Sequence, residues 1–263
     1  MPKLSIITVN FNNKGGLIDT AKSVVAQTWT DYEWIIIDGG STDGSVDVIK
    51  EYAGKTDKLV YWCSEPDGGI YQGMNKGIEK ASGEYCWFLN SGDYAYKDTT
   101  LEEIFANEFD EDIVYGNMMM EKENGSYKFR KFPHRLPTSY FLSHYALHHQ
   151  GMFTRTGLLN AKNKYKTDYK IVSDWIFCTE AICKEKASYT YIPSIFAISQ
   201  NGGITNKKEF WYSLQKERKK LINELFSRKE RFFCFFSVAS FRIASWKRRI
   251  KFNYYKIIHR IFL

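Results

Sequence analysis

Apolar and polar positions alternate in regular blocks along the first third of the chain. Short apolar runs predict buried strands at residues 4–9, 34–37, 59–62 and 85–89. Apolar residues spaced three or four apart predict helices between them, at 17–27, 46–52 and 70–80. In the last of these helices, Tyr71 and Met74 are predicted to face the core. Strand, loop and helix repeat three times, an order that predicts a parallel sheet with right-handed crossovers.

The pattern changes after Asp112. An apolar run at 113–120 and an alternating segment at 127–132 predict two more strands, added as a small antiparallel extension. Residues 206–227 have a mixed-charge helical pattern. The predicted fold class is α/β: a mostly parallel, Rossmann-like sheet with flanking helices, an antiparallel extension and a helical C-terminal tail. The predicted organisation is 1–115 and 116–227 as two halves of one domain, followed by a tail at 228–263.

Four polar loops follow the predicted parallel strands, at 8–13, 38–44, 65–69 and 90–93. Because ligands of open α/β sheets bind outside the carboxyl ends of the strands, these loops predict a binding crevice. The alternative is that glycine and aspartate only make tight turns there. None of the loops contains a Gly-x-Gly-x-x-Gly sequence or a Lys-Ser/Thr phosphate loop, so no dinucleotide or ATP fingerprint is present.

The net charge of +7 is concentrated in the tail. Residues 228–263 contain ten lysines and arginines and one acidic residue, Glu230, so the rest of the chain is close to neutral. The basic pI therefore gives no indication of nucleic-acid binding by the body. Apolar residues recur every three or four positions in the tail, which predicts a basic amphipathic helix lying on an anionic membrane surface. The alternative is a helix packed on the body or on a partner.

The cysteines and the N-terminus indicate a cytoplasmic location. Five cysteines form no Cys-x-x-Cys pair, which suits a reducing compartment and favours neither a disulfide framework nor a zinc site. No secretory signal is recognisable before the first strand. The longest uncharged run of the tail, 232–241, is too short to span a bilayer. We therefore expect a cytoplasmic protein bound peripherally to the inner face of the membrane.

Four linked motifs resemble the family 2 glycosyltransferases of the GT-A fold. They are SIITVNFN at 5–12, IIDGGSTDG at 36–44, SEPDGGIYxxMNKGI at 64–78 and ASGEYxxFLNSGD at 81–93. The resemblance implies a nucleotide-sugar-binding first half. It implies that Thr8 and Asn10 line the base and ribose, that Asp38 holds the nucleoside, and that Asp67 contacts the base or ribose. Asn75 and Lys76 are then expected near the diphosphate.

The same resemblance implies that Asp93 is the metal ligand of the family's Asp-x-Asp signature. This chain departs from that pattern, because the first acidic position is taken by Asn90 or Ser91, which are expected to lie at the donor. One carboxylate with phosphate oxygens and waters suits Mn²⁺ or Mg²⁺. The alternative for Asp93 is an N-cap of a helix starting near Thr99. Asp43 has two equally weighted interpretations, a helix cap or a donor contact.

A second polar cluster begins at His148 and His149 and continues to Asp174, an acid inside an apolar segment. Such a charge needs a partner or a function. A His-Gln pair, then Ser-Asp-Trp, then a Gly-Gly-Ile-Thr loop at 202–205 resembles a branch of the family that makes bacterial surface polysaccharides. In that branch Asp174 would be the general base. His149 could touch the diphosphate or orient Asp174, or be purely structural, and Asp174 could instead cap the helix predicted at 175–184.

The resemblance implies an inverting transferase that moves a sugar from a UDP-linked donor to a lipid-linked saccharide. A carboxylate removes the acceptor proton while a metal stabilises the leaving diphosphate. One alternative is a nucleotidyltransferase, for which the loop at 10–16 lacks the extended glycine-rich, basic sequence. Another is a catalytically degenerate binding or scaffold protein, which the missing first acid of the Asp-x-Asp signature allows and Asp174 argues against.

Overall fold

The computed structural model describes residues 1–143, 146–161, 164–200 and 208–232. Within them the strands are β1 Leu4–Asn10, β2 Tyr32–Asp38, β3 Leu59–Ser64, β4 Tyr85–Phe88, β5 Asp93–Ala95, β6 Ile113–Glu121, β7 Tyr127–Arg130, β8 Met152–Arg155 and β9 Tyr189–Ser199. The helices are α1 Lys14–Val25, α2 Ser45–Ala53, α3 Ile70–Lys80, α4 Thr100–Phe105, α5 Thr138–Leu142, α6 Thr156–Ala161, α7 Ser173–Thr179 and α8 Lys208–Leu225. A 3₁₀ turn covers His149–Gly151, and a π-helical turn covers Glu180–Lys184.

One mixed sheet joins all nine of these strands. Its order is β3-β2-β1-β4-β8-β6-β9-β5, and β7 pairs with β6 at the side. The first four strands are parallel, as predicted, and β1 is aligned with β2 so that Asn10 lies opposite Asp38. The second half is mainly antiparallel, although β6 and β9 run parallel. The expected α/β sheet with an antiparallel extension is therefore confirmed.

Two apolar layers cover the two faces of the sheet. On one face, α1, α2 and α4 pack against alternate residues of the central strands, including Ile6, Trp34 and Trp87. On the other face, α3, α7 and α8 pack against Ile7, Phe88 and Tyr115. Because the inner strands are covered on both sides, their residues form continuous apolar runs rather than an alternating pattern.

Several elements differ from the sequence predictions. Asp93 does not cap a helix, because it begins β5, a three-residue strand paired with β9. The boundary predicted between 115 and 116 falls inside β6, so the two halves share a strand. The helix predicted at 175–184 is α7 followed by the π-helical turn.

Most of the predicted tail and the Gly-Gly-Ile-Thr loop lie outside the described residues. The described part of the tail ends with a helical segment at 228–232. Within the described ranges, no helix combines the length and apolarity needed to cross a bilayer.

Candidate active site

The parallel strands bring three of the predicted loops together at their carboxyl ends. Asn10 ends β1 and its Nδ2 donates a 2.7 Å hydrogen bond to Oδ1 of Asp38, which ends β2. The Asp38 carboxylate also accepts from the backbone and hydroxyl of Ser41 and from the hydroxyl of Ser64. Burial alone raises the pKa of Asp38, but these hydrogen bonds outweigh it and lower the pKa below its usual value.

These contacts change the roles expected for two residues. Asp38 is fully buried and accepts four hydrogen bonds, so no lone pair is left for a nucleoside in this arrangement. Thr8 is also fully buried, donating to Leu89 O and accepting from the indole of Trp34. These contacts do not favour the expected role of Thr8 in lining the base and ribose, which stays a prediction.

Asn10 and Asp67 remain candidates for the nucleoside. The Oδ1 atom of Asn10 is buried and has no hydrogen-bond partner. Asp67 is half-buried, and a Cβ placed on Gly39 would lie 3.3 Å from its Oδ2 and 3.2 Å from the ring of Phe11. Phe11 is 64% exposed, an unusual position for a phenylalanine. A carboxylate and an open aromatic face thus flank the bare backbone of Gly39. Phe11 was not predicted, although its place directly after β1 was a signal.

Asn75 and Lys76 are engaged elsewhere. The Asn75 amide exchanges two hydrogen bonds with the backbone of Tyr165, at 2.8 and 2.9 Å, and so ties α3 to the segment before α7. Lys76 forms a 2.8 Å ion pair with Glu65 at the surface. Their expected proximity to a diphosphate stays a prediction that these contacts do not favour.

Asp43 has a structural role in this arrangement. Its Oδ1 accepts from the backbone and hydroxyl of Ser45, in the first turn of α2, and its Oδ2 accepts from the backbone of Lys14, in the first turn of α1. Asp43 thereby fixes the starts of two helices. These bonds lower the pKa of Asp43, and the bond from the Ser45 hydroxyl has the largest effect. Of its two interpretations, the local geometry favours the structural one.

Asp93 is a nearly buried carboxylate at the centre of the crevice. It is 8% exposed, and Oδ2 accepts a 2.8 Å hydrogen bond from Nε2 of Gln150. Burial raises the pKa of Asp93, and the hydrogen bonds from Gln150 and Ser199 only partly offset this effect. Oε1 of the same Gln150 is buried without a partner. The Gln150 amide was not predicted as a site residue, although it follows His149 directly.

Asp174 lies in the first turn of α7 and accepts three hydrogen bonds. Its Oδ1 accepts from the backbone N–H of Trp175 at 2.8 Å and from the hydroxyl of Tyr71 at 3.2 Å, while Oδ2 lies 3.3 Å from Nδ1 of His149. Burial raises its pKa, but the contacts with His149 and Trp175 outweigh burial and hold the pKa below the usual range. Asp174 does not cap the helix, since the N-cap position is Val172. One lone-pair position on Oδ2 remains open for a further donor.

Tyr71 connects two distant parts of the chain. It is 6% exposed, as expected for a core residue, yet its hydroxyl reaches Asp174. Its pKa is raised well above the usual value by burial and by the Asp174 charge, so the phenol stays protonated and can donate a hydrogen bond to Asp174. A pattern of apolar positions detects the ring of such a residue but not the contact made by its hydroxyl.

The 3₁₀ turn links the two carboxylates through adjacent side chains. His149 contacts Asp174, the next residue Gln150 contacts Asp93, and the indole of Trp87 holds the turn by donating to Gln150 O at 2.7 Å. On its other side, Nε2 of His149 lies 3.1 Å from Nδ2 of Asn90. The structure therefore joins Asn90, Asp93, His149 and Asp174. Ser91 lies at the rim, where its backbone oxygen accepts from Asn13.

His148, the first residue of the second polar cluster, packs against an aromatic ring. Its ring packs at 5.9 Å from that of Phe132. Burial, followed by the nearby Arg130 charge, lowers its pKa to about 4, so it is neutral at physiological pH. Among the described residues, no group of three or more histidine, cysteine or acidic side chains is arranged to hold a metal ion.

The mixed sheet, with a polar crevice at the ends of its parallel strands, matches solved structures of the GT-A class of folds. The crystal structure of S. aureus TarS 1-349 in complex with UDP-GlcNAc superimposes with a TM-score of 0.64 at 18% identity, covering 87% of this chain and 69% of that one. A longer TarS chain matches with a TM-score of 0.65, and this chain spans 42% of its length.

Sequence comparison identifies the family. The family model described as "Glycosyl transferase family 2" matches residues 5–168, more than half of the chain, so the chain belongs to that family. A Mycobacterium bovis "PGL/p-HBAD biosynthesis glycosyltransferase" is 29% identical over 216 residues, 80% of this chain and 82% of the relative. The Bacillus subtilis "Putative teichuronic acid biosynthesis glycosyltransferase TuaG" is 35% identical over 97 residues, 37% of this chain and 38% of the relative.

Proposed function

We propose that this glycosyltransferase moves a sugar from a UDP-linked donor to a lipid-linked saccharide in bacterial surface-polysaccharide synthesis, with inversion at the anomeric carbon. The observation that carries the proposal is the pair of carboxylates, Asp93 and Asp174, connected through the adjacent side chains of His149 and Gln150. A relative named for teichuronic acid biosynthesis and a structural neighbour crystallised with UDP-GlcNAc support the substrate classes.

Asp174 is the proposed general base. A base must be ionised, oriented and able to reach the acceptor hydroxyl. The lowered pKa keeps Asp174 ionised at neutral pH, and the bonds from Tyr71, Trp175 and His149 fix its orientation. The open lone-pair position on Oδ2 then takes the acceptor proton while the acceptor oxygen attacks the anomeric carbon. One base on the face opposite the leaving group gives a single displacement and therefore inversion.

Asp93 is the proposed ligand of a Mn²⁺ or Mg²⁺ ion. The residues fit a cation, because burial raises the pKa of the Asp93 carboxyl and the neighbouring Gln150 Oε1 lacks a partner. Oxygen atoms of this kind suit both metals. When bound with the donor, the metal would stabilise the charge of the departing diphosphate. A single carboxylate predicts weak metal binding until the donor phosphates supply further oxygen ligands.

The nucleoside is proposed to bind over Gly39. Phe11 offers a face for the base, while Asp67 and the unpartnered Oδ1 of Asn10 offer hydrogen-bond acceptors to the base or ribose. Asn90, which contacts His149, and Ser91, which contacts Asn13 after β1, are the proposed donor contacts next to the two carboxylates. The donor would thus extend from Phe11 towards Asp93, which leaves the side of Asp174 for the acceptor.

A panel of nucleotide sugars tests this function directly. The full-length protein is incubated with UDP-, GDP- and CDP-sugars, with and without Mn²⁺, and free nucleotide is measured. We expect one UDP-sugar to be hydrolysed slowly, and only with metal. UDP binding without hydrolysis of any donor would instead favour the catalytically degenerate binding protein, and absence of both would contradict the proposed function.

A further inference from the structure

His149 lies between an amide and a carboxylate. The carboxylate requires a hydrogen-bond donor from the ring, whereas the amide NH₂ group requires an acceptor. Nδ1 of His149 faces Oδ2 of Asp174 at 3.3 Å, and Nε2 faces Nδ2 of Asn90 at 3.1 Å. An ionised carboxylate can only accept a hydrogen bond, whereas an amide NH₂ group can only donate one. The neutral imidazole that satisfies both neighbours carries its proton on Nδ1 and a lone pair on Nε2.

The orientation of the Asn90 amide follows from its second contact. Asn90 is 7% exposed, and its Oδ1 accepts a 3.3 Å hydrogen bond from the backbone N–H of Val9 in β1. Because a backbone N–H is a donor, the oxygen must face Val9 and the NH₂ group must face His149. Asn90 is thus held from one side by the sheet and determines the state of the ring on its other side.

From this chain of contacts we infer that Asn90 is a positioning residue, which holds His149 as the neutral Nδ1–H tautomer that donates to Asp174. One of the two residues, Asn90 and Ser91, that can occupy the first acidic position of the family's Asp-x-Asp signature then acts on the base side of the reaction. An aspartate at position 90 would place acceptors at both nitrogens and favour a doubly protonated, positively charged ring. A cation next to Asp174 would lower the basicity of that carboxylate. The catalytic consequence rests on the proposed role of Asp174, but the tautomer does not.

The tautomer can be measured by ¹⁵N NMR of the full-length protein labelled at its histidines, without metal. The His149 signals are assigned by their loss in His149→Gln. At neutral pH we expect a pyrrole-like Nδ1 and a pyridine-like Nε2. A protonated Nε2 in the unmodified protein, as the other tautomer or the cation, would overturn the inference without any variant being made.

Two matched substitutions sharpen the test. In Asn90→Asp we expect both His149 nitrogens to become pyrrole-like at the same pH, and turnover to fall. Asn124→Asp makes the same chemical change in the exposed turn between β6 and β7. This variant should leave the His149 spectrum and turnover unchanged. A folded Asn90→Asp protein with an unaltered His149 spectrum would also overturn the inference. A correct tautomer in an enzyme that hydrolyses no nucleotide sugar would contradict the proposed function alone.

Discussion

Asp93 is buried and Asp174 is partly buried, and their neighbours keep the two carboxylates in different electrostatic states. Asp174 receives hydrogen bonds from a backbone N–H, a phenol and an imidazole, which together outweigh the cost of burying its charge. Asp93 receives hydrogen bonds from the Gln150 amide and the Ser199 side chain, which do not outweigh burial, and its pKa stays raised. An ionised, oriented carboxylate suits a base, whereas an under-compensated one suits a cation site. The environment thus supports two separate roles.

The raised pKa of Asp93 predicts that Asp93→Asn stabilises the fold while abolishing activity. A carboxylate with a raised folded-state pKa contributes its full stability below the unfolded-state pKa of ~3.9 and loses it as pH rises. The melting temperature of Asp93→Asn should therefore match the unmodified protein near pH 4 and exceed it increasingly towards pH 7. An unmodified protein that is the more stable of the two at pH 7, without metal, would contradict this interpretation.

The base assignment predicts a separation of binding from turnover in Asp174→Asn. Asparagine keeps the shape and can still accept from Tyr71 or Trp175, so the fold and UDP affinity should persist. It cannot take a proton, and general-base catalysis typically contributes ~10²–10⁴-fold. We expect turnover to fall by about that factor, measured beside calorimetric UDP binding. Normal turnover would remove Asp174 from the mechanism.

At the scale of elements, close packing of α3 against β1 sets the crevice geometry. Gly77 faces Ile7, where a Cβ would lie 2.4 Å from Cγ2, and Gly73 faces Val9 at 2.8 Å. The absence of side chains lets the helix approach the strand and brings Tyr71, in its first turn, to Asp174. Gly73 and Gly77, one helical turn apart, therefore allow close core packing and also help to position a residue of the site.

The approach of α3 to β1 predicts that Gly77→Ala is destabilising. Alanine is favoured over glycine in a helix by roughly 1 kcal/mol, but overpacking against a stiff, branched Ile7 costs about 1–3 kcal/mol. The control is Gly157→Ala in α6, where no atom lies within 4 Å of the added Cβ and a gain is expected. Urea denaturation should give opposite shifts of the midpoint. A higher midpoint for Gly77→Ala would show that the helix can move away without cost.

The elements that could be predicted from the sequence are those with uninterrupted patterns. β1, β2 and β4 are buried on both faces and appear as apolar runs. The helices between them have apolar residues at every third or fourth position. β5 and β8 have three and four residues, and β9 contains Pro193, so each is too short or too irregular to produce a clear pattern. Their pairing depends on residues more than 35 positions away.

The site was partly predictable, because local sequence patterns reveal some of its residues but not the contacts between distant segments. Asp93 stood out because it lies in the polar turn after a buried strand and in a motif of the family, and Asp174 because it is an acid inside an apolar segment. The burial of Thr8 could not be predicted, because a strand that is buried on both faces gives no indication of which side chains reach a ligand. Tyr71 and Gln150 were missed as site residues because their contacts connect segments 103 and 57 positions apart. A family resemblance supplies the roles of motif residues, but not the hydrogen bonds that occupy Asp38 and Asn75.

At the scale of the whole molecule, the charge distribution predicts reversible membrane binding. Residues 228–263 carry ten basic residues and one acid, and we propose that they hold the enzyme on anionic lipid. The full-length protein should sediment with anionic liposomes at low salt and be released as salt screens the charges. A protein lacking 228–263 should stay in solution. Failure of the full-length protein to sediment would assign the tail to packing on the body or a partner.

The central claim, a single displacement assisted by Asp174, is tested most directly by the anomeric configuration of the sugar that is first released. With the active UDP-sugar and Mn²⁺, water can replace the acceptor, and ¹H NMR recorded before mutarotation identifies the anomer. We predict the configuration opposite to that of the donor, and a much slower release by Asp174→Asn. Release of the anomer that retains the donor configuration would contradict the account.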